Sequence, residues 1–190
     1  GDAGFIEGAA VLIDAAHIVD IVTPSDPRIR TAHIVDLDGC TLAPGFIDCQ
    51  VNGGGGVLLN DMPTLDGIRR IAQAHRKFGT TGLLPTLISD DAATMHAAMA
   101  ATRAAIRQRV PGVLGIHLEG PFLAPQRKGI HDAAKFRVPM AADVDLIAAT
   151  DAGRVLVTLA PEQVASQTIR ALAERGVIVA TGHTAATYAQ

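Results

Sequence analysis

Gly115-Ile-His-Leu-Glu-Gly-Pro-Phe122 is an apolar run that closes on a carboxylate, and Ala180-Thr-Gly-His-Thr184 repeats the plan with an imidazole. In each, a potential metal ligand (Glu119, His183) stands where the run stops. A turn or helix-start residue follows at once, Gly120-Pro121 in the first case and Thr184 in the second. Parallel sheets and barrels present chemistry in this way, from the carboxyl tips of several strands onto one face. The pattern points to metal-assisted hydrolysis on an α/β scaffold.

Outward from these two segments, strand and helix patterns alternate. Residues 45–51 read as a buried strand that runs into the flexible stretch Asn52-Gly-Gly-Gly-Gly56. Residues 64–78 carry helical spacing at Leu65, Ile68, Ile71 and Ala72, with Thr64 as N-cap and Gly79 as stop. A strand at 82–87 precedes an Ala-rich helix at 90–109, capped by Asp90-Asp91. Further strands are expected at 113–118, 154–159 and 177–180, with a helix at 161–175 and another helix begun by Thr184. Such alternation implies a parallel sheet. No GxGxxG follows the first strand, which argues against a dinucleotide fold. The expected fold is therefore α/β: a partial TIM-like (β/α)8 barrel over residues 45–190, comprising its first five βα units. Residues 1–44 differ, with β-branched segments at 8–14, 17–22 and 32–37 separated by Pro24-Ser-Asp-Pro27 and Asp38-Gly39. They read as part of a small antiparallel sheet.

Composition narrows the partners. Aromatic residues make up 3% of the 190, with no Trp and one Tyr, so base stacking has little to work with. A formal charge of −3 argues against a phosphate-backbone field, and hence against nucleic acid. No apolar run approaches the roughly 20 residues of a membrane span, and no secretory signal is visible. Cys40 and Cys49 lack metal or redox spacing and read as small buried thiols of a cytoplasmic protein.

The candidate site rests on few residues. Glu119 and His183 are the metal candidates, since zinc takes carboxylate oxygen and imidazole nitrogen and a catalytic zinc keeps an open position. His117 alternates with Glu119 along one strand and is expected to support the site or pack, rather than ligate. Arg127 and Lys128 are basic loop residues within reach of a sugar phosphate, although solvated loop cations are commoner. His75, His96, His17 and His33 have no partner motif nearby.

The segments Leu42-Ala-Pro-Gly-Phe-Ile-Asp-Cys-Gln-Val-Asn-Gly53, His117-Leu-Glu-Gly-Pro-Phe122, Lys128-Gly-Ile-His131, Val157-Thr-Leu-Ala-Pro-Glu162 and Thr181-Gly-His-Thr184 resemble the N-acetylglucosamine-6-phosphate deacetylase family, of the amidohydrolase superfamily. The resemblance runs through nearly the whole chain in the family's order. It implies a barrel with a small β-sandwich to which residues 1–44 contribute. The implied reaction is hydrolysis of the N-acetyl group of N-acetylglucosamine-6-phosphate to glucosamine-6-phosphate and acetate. Glu119 and His183 match family metal ligands; Ile130, through its backbone, and His131 match the substrate-contacting segment.

Many amidohydrolases carry His-x-His at the end of the first strand, where this chain has Gln50 and Asn52. Amides are poor zinc ligands, so this departure implies one divalent metal, Zn2+, with Gln50 and Asn52 lining the pocket or orienting water. The family's general acid–base Asp and a further metal-binding His are expected after Gln190, which leaves no catalytic residue in this chain and implies that it is inactive by itself. A homodimer of the complete enzyme is also implied. The alternatives are a dihydroorotase-like or adenine-deaminase-like amidohydrolase, and a non-catalytic sugar-phosphate-binding fragment.

Overall fold

The computed structural model describes residues 4–189. The chain divides into two compact units, Gly1–Pro44 and Gly45–Gln190. In the first, β1 (Ala10–Asp14) and β2 (His17–Val22) form an antiparallel hairpin with a register shift between Leu12 and Ile13. A 3-10 turn, Pro27–Thr31, follows; its N-cap Asp26 accepts the backbone N–H of Arg28 and also binds that guanidinium. The third strand expected at 32–37 does not form. A strand needs a neighbour to take up its N–H and C=O groups, and residues 32–37 run beside none. Ile34 and Val35 are accordingly exposed. The unit is a hairpin and a turn, not a complete sandwich.

The second unit holds the core. Strands β3 (Phe46–Val51), β6 (Thr80–Ile88), β7 (Gly115–Glu119), β8 (Arg154–Leu159) and β9 (Ile178–Thr181) lie side by side in that order, all parallel. Each new strand is added at the same edge, which curls the sheet into half of a barrel. Between β3 and β6, β4 (Gly53–Gly54) and β5 (Val57–Leu58) make a two-residue hairpin. Gly55 and Gly56 occupy its turn at φ 61° and 78°, a conformation only glycine adopts without strain. The glycine run expected to be flexible is thus an ordered turn.

Helices α1 (Leu65–Arg76) and α2 (Ala92–Arg107) begin where side chains cap them: Thr64 accepts the N–H of Gly67, and Asp91 that of Thr94. Ile68 and Ile71 of α1 and Met95, Ala98 and Met99 of α2 are buried against the sheet, which presents Leu83, Leu87, Ile116, Leu118, Val155 and Val157. Each fully buried Ile or Leu contributes about 1.5–3 kcal/mol relative to exposure. Two helices depart from expectation. α3 (Ala141–Ile147) had no periodic signal strong enough to be read. The helix expected at 161–175 is split into a 3-10 turn, Pro161–Gln163, and α4 (Ser166–Glu174), because Val164 turns inward to a buried position. Cys40 and Cys49 are both exposed free thiols, contrary to the buried reading: Cys40 follows a turn, and Cys49 lies where few side chains cover β3. Among the described residues, no helix is long and apolar enough to cross a membrane.

Candidate metal centre

Alternation along β7 puts His117 and Glu119 on the face opposite Ile116 and Leu118. All five residues of the strand are buried. A carboxylate in such a place needs partners, and Glu119 has them on both oxygens. Oε2 accepts the amide Nε2–H of Gln50 at 3.0 Å, and Oε1 lies 3.0 Å from Nε2 of His183. Nε2 of His131 stands 3.8 Å from the same Oε1. His131, His183 and a weaker field from His117 hold the Glu119 carboxyl at about 2 against the opposing effect of burial. Glu119, His131 and His183 offer ligand atoms all within 4.8 Å of one another, a group able to hold a metal ion.

Each side chain reaches the rim for a local reason. The β3–β6 register slips by one residue between Asp48 and Val51, a bulge of the kind that re-aims a side chain beside a site. Gln50 lies in that bulge. The same slip leaves Val51 N–H to the hydroxyl of Thr86 and the carbonyl of Cys49 to His117. His183 follows β9 in a left-handed conformation, φ 49°, which non-glycine residues hold only when their surroundings demand it. Here its carbonyl accepts the N–H of Ala124, and its Nδ1 bonds the carbonyl of Arg127 at 2.9 Å. Thr184 caps no helix among the described residues; its hydroxyl and the N–H of Ala185 bind the carboxylate of Glu162. That fastens the turn behind His183.

The expected pocket residues have separate fates. His117 is buried and fully partnered: Nδ1 donates to Cys49 O at 3.0 Å, and Nε2 accepts from Thr158 Oγ1 at 2.8 Å. Burial lowers its pKa, partly opposed by the Glu119 charge. Asn52 is half-buried, and its Nδ2 is enclosed without a hydrogen-bond partner among the described residues. Ile130 is 86% exposed, whereas its neighbour His131 is 1% exposed with an unpartnered Nε2. Arg127 and Lys128 are exposed. Sequence reasoning missed Ser89, Thr86 and Thr158, the hydroxyls that serve the two buried histidines. Ser89 directly follows β6, the tip position that drew attention to Glu119 and His183, and was readable on that ground.

A carboxylate with two imidazoles around it, at the carboxyl rim of a parallel sheet, defines the class: an α/β half-barrel of enzyme type with its polar site at the strand tips. No protein-family model matches the chain. It is 48% identical over 143 residues to an N-acetylgalactosamine-6-phosphate deacetylase of Shewanella sp. (strain ANA-3), covering 75% of this chain and 36% of that protein. It is 30% identical over 179 residues to the N-acetylglucosamine-6-phosphate deacetylase of Haemophilus influenzae, covering 94% and 47%. The crystal structure of N-acetylglucosamine-6-phosphate deacetylase from Pasteurella multocida superposes with a TM-score of 0.91 at 32% identity, over 97% of this chain and 48% of that one. The chain thus spans between about a third and half of the length of these relatives. Over that span it belongs to the N-acetylglucosamine- and N-acetylgalactosamine-6-phosphate deacetylase family.

Proposed function

We propose that the chain supplies the metal-binding half of an enzyme that hydrolyses the N-acetyl group of an N-acetylhexosamine 6-phosphate, releasing acetate and the amino-sugar phosphate. The observation that carries the reading is the His183–Glu119 contact. Nδ1 of His183 faces a carbonyl oxygen, which only accepts, so Nδ1 bears a proton and Nε2 is left to face Glu119. That nitrogen meets a carboxylate oxygen at 3.0 Å. Either a proton or a cation can bridge two such atoms, and imidazole with carboxylate is a donor set suited to Zn2+. Glu119 and His183 would hold the ion, and a further ligand would complete it.

A divalent metal bound there supplies Lewis acidity towards an amide carbonyl and lowers the pKa of a water to about 7. Gln50 fixes Glu119 by its second oxygen, which keeps Oε1 turned to the site. His131 and Asn52 offer enclosed nitrogens to a substrate, and Ile130 offers backbone. The proposal includes barrel closure, a β-sandwich to which Gly1–Pro44 contributes, a homodimer and a cytoplasmic setting.

A second substrate reading is favoured by one comparison: the 48% relative is a galactosamine enzyme and the 30% relative a glucosamine enzyme. Both substrates share the acetamide and the phosphate and differ at one hydroxyl. Acetate release by the full-length enzyme from each epimer, with and without a chelator, is the test. Turnover of at least one epimer that disappears with chelator and returns with Zn2+ is expected. Chelator-insensitive turnover, or none on either epimer, overturns the proposal.

A further inference from the structure

Ser89 directly follows β6 at the same rim as Glu119 and is 6% exposed. Its backbone N–H donates to Nδ1 of His131 at 3.2 Å, and its hydroxyl lies 2.8 Å from the same nitrogen. A backbone N–H only donates, so Nδ1 is the acceptor and the proton of the neutral ring sits on Nε2. The opposite tautomer would set Nδ1–H against Ser89 N–H and leave two buried donors facing each other. His183 is arranged the other way, with a proton on Nδ1, donated to Arg127 O, and Nε2 towards Glu119. Two rings 4.6 Å apart therefore enter one site with their Nδ1 atoms in opposite roles.

We infer that Ser89 is a positioning residue: its backbone amide sets the tautomer of His131, so that His131 meets the bound amide as an N–H donor and not as a third metal ligand. The identity of that amide rests on the deacetylase reading, whereas the tautomer does not. The surroundings hold the Ser89 amide in aim. Asn60 grips the preceding residue by both backbone groups, donating to Ile88 O at 3.1 Å and accepting from Ile88 N–H at 3.2 Å. On the far side, Lys135 bridges Asp90 at 3.1 Å and Asp91 at 3.4 Å, which ties the His131 loop to the end of β6. Gly120 leaves the room that Ser89 needs, since a Cβ there would fall 2.2 Å from the Ser89 hydroxyl. Nε2 of His131 is enclosed and makes no hydrogen bond, the nearest carboxylate oxygen, Glu119 Oε1, standing 3.8 Å away, so the donor is free to take a closer acceptor.

The test is nitrogen NMR on the full-length enzyme with labelled histidine and serine, metal-free and Zn2+-loaded. Two-bond proton–nitrogen correlations assign the tautomer. A 15N–15N coupling across the hydrogen bond reports Ser89 N–H on His131 Nδ1. The expected result is an Nε2–H ring coupled to Ser89 in both states. An Nδ1–H ring in the loaded enzyme, or no coupling, overturns the inference even if deacetylation is confirmed; equally, the coupling stands if the substrate proves different. Ser89→Pro removes the amide proton while Ile88, already extended, tolerates a following proline. This variant is expected to lose the tautomer preference and about 10²-fold in kcat, with KM and metal content little changed. Loss of metal in step with kcat would overturn the inference by making His131 a ligand. If Ser89→Pro does not fold, the wild-type coupling alone decides.

Discussion

His117 and Glu119 are two residues apart on one strand and face the same side, yet they occupy opposite kinds of site. Around His117 every polar atom has its partner: the ring joins Cys49 of β3 to Thr158 of β8 and passes close to Thr86 of β6. One turn of the pleat further on, beside Glu119, Nε2 of His131 is left enclosed without a hydrogen-bond partner among the described residues. A satisfied network specifies structure, whereas an unsatisfied one marks where something else is meant to bind. The floor of the sheet is finished by the protein itself, and the rim is not.

Glu119→Gln should break the comparison most sharply. The carboxamide keeps the shape but loses the charge that a cation needs, so kcat/KM of the full-length enzyme should fall by about 10³-fold or more, some 4 kcal/mol of transition-state stabilisation. Bound metal should fall with it, while the melting temperature changes little. Retained metal by elemental analysis would move the centre away from Glu119.

The reverse pattern is expected for His117→Phe. A ring of similar size that cannot bond leaves Thr158 and the Cys49 carbonyl without their partner, at a cost of about 1–3 kcal/mol for each buried group. Chemical denaturation should show that loss, with metal stoichiometry close to wild type at a temperature where the variant is folded. If metal binding vanished with stability unchanged, the floor and the rim would be one site.

Gln50 stands between the two and sharpens the boundary. Gln50→Leu removes the donor to Oε2 and should weaken metal affinity by about 10- to 100-fold, as for other groups that orient a ligand. Titration with a competing chelator measures it. An unchanged affinity would make Gln50 a bystander.

The smallest effect concerns how the rim is mounted. Arg137, in the loop that carries His131, binds Asp143 of α3 at 2.5 and 2.7 Å and lies over the ring of Phe122. Burial pushes the Asp143 carboxyl up, but the Arg137 hydrogen bonds and the Met140 N–H outweigh it and hold the pKa below the ordinary 3.8. A depressed carboxyl stabilises the fold fully above its unfolded value and loses that contribution as pH falls through the folded one. Hydrogen exchange in the loop should therefore accelerate as pH drops below about 3.8, after correction for intrinsic rates, and Asp143→Asn should remove that dependence. An acid response that survives the substitution would assign it elsewhere.

Much of this was legible along the chain. Helix starts at Thr64 and Asp91 were readable because caps are local chemistry, and the parallel sheet because strand–helix alternation admits few other topologies. Residues 32–37 failed because β-branched composition records a preference for extended backbone, not the presence of a neighbour to pair with. The split of the last helix failed because Val164 is drawn inward by packing that its own neighbours in sequence do not reveal. Glu119 and His183 were visible as strand tips, and His131 only by its resemblance to a substrate segment.

The sequence by itself determined the order of elements, the ligand types and their delivery to one rim, since periodicity, capping and turn residues act over a few positions. Only the tertiary structure decided which nitrogen of each histidine faces Glu119. That depends on a carbonyl 56 residues from His183 and an amide 42 residues from His131, and a proton's place on a ring is set by its neighbours in space.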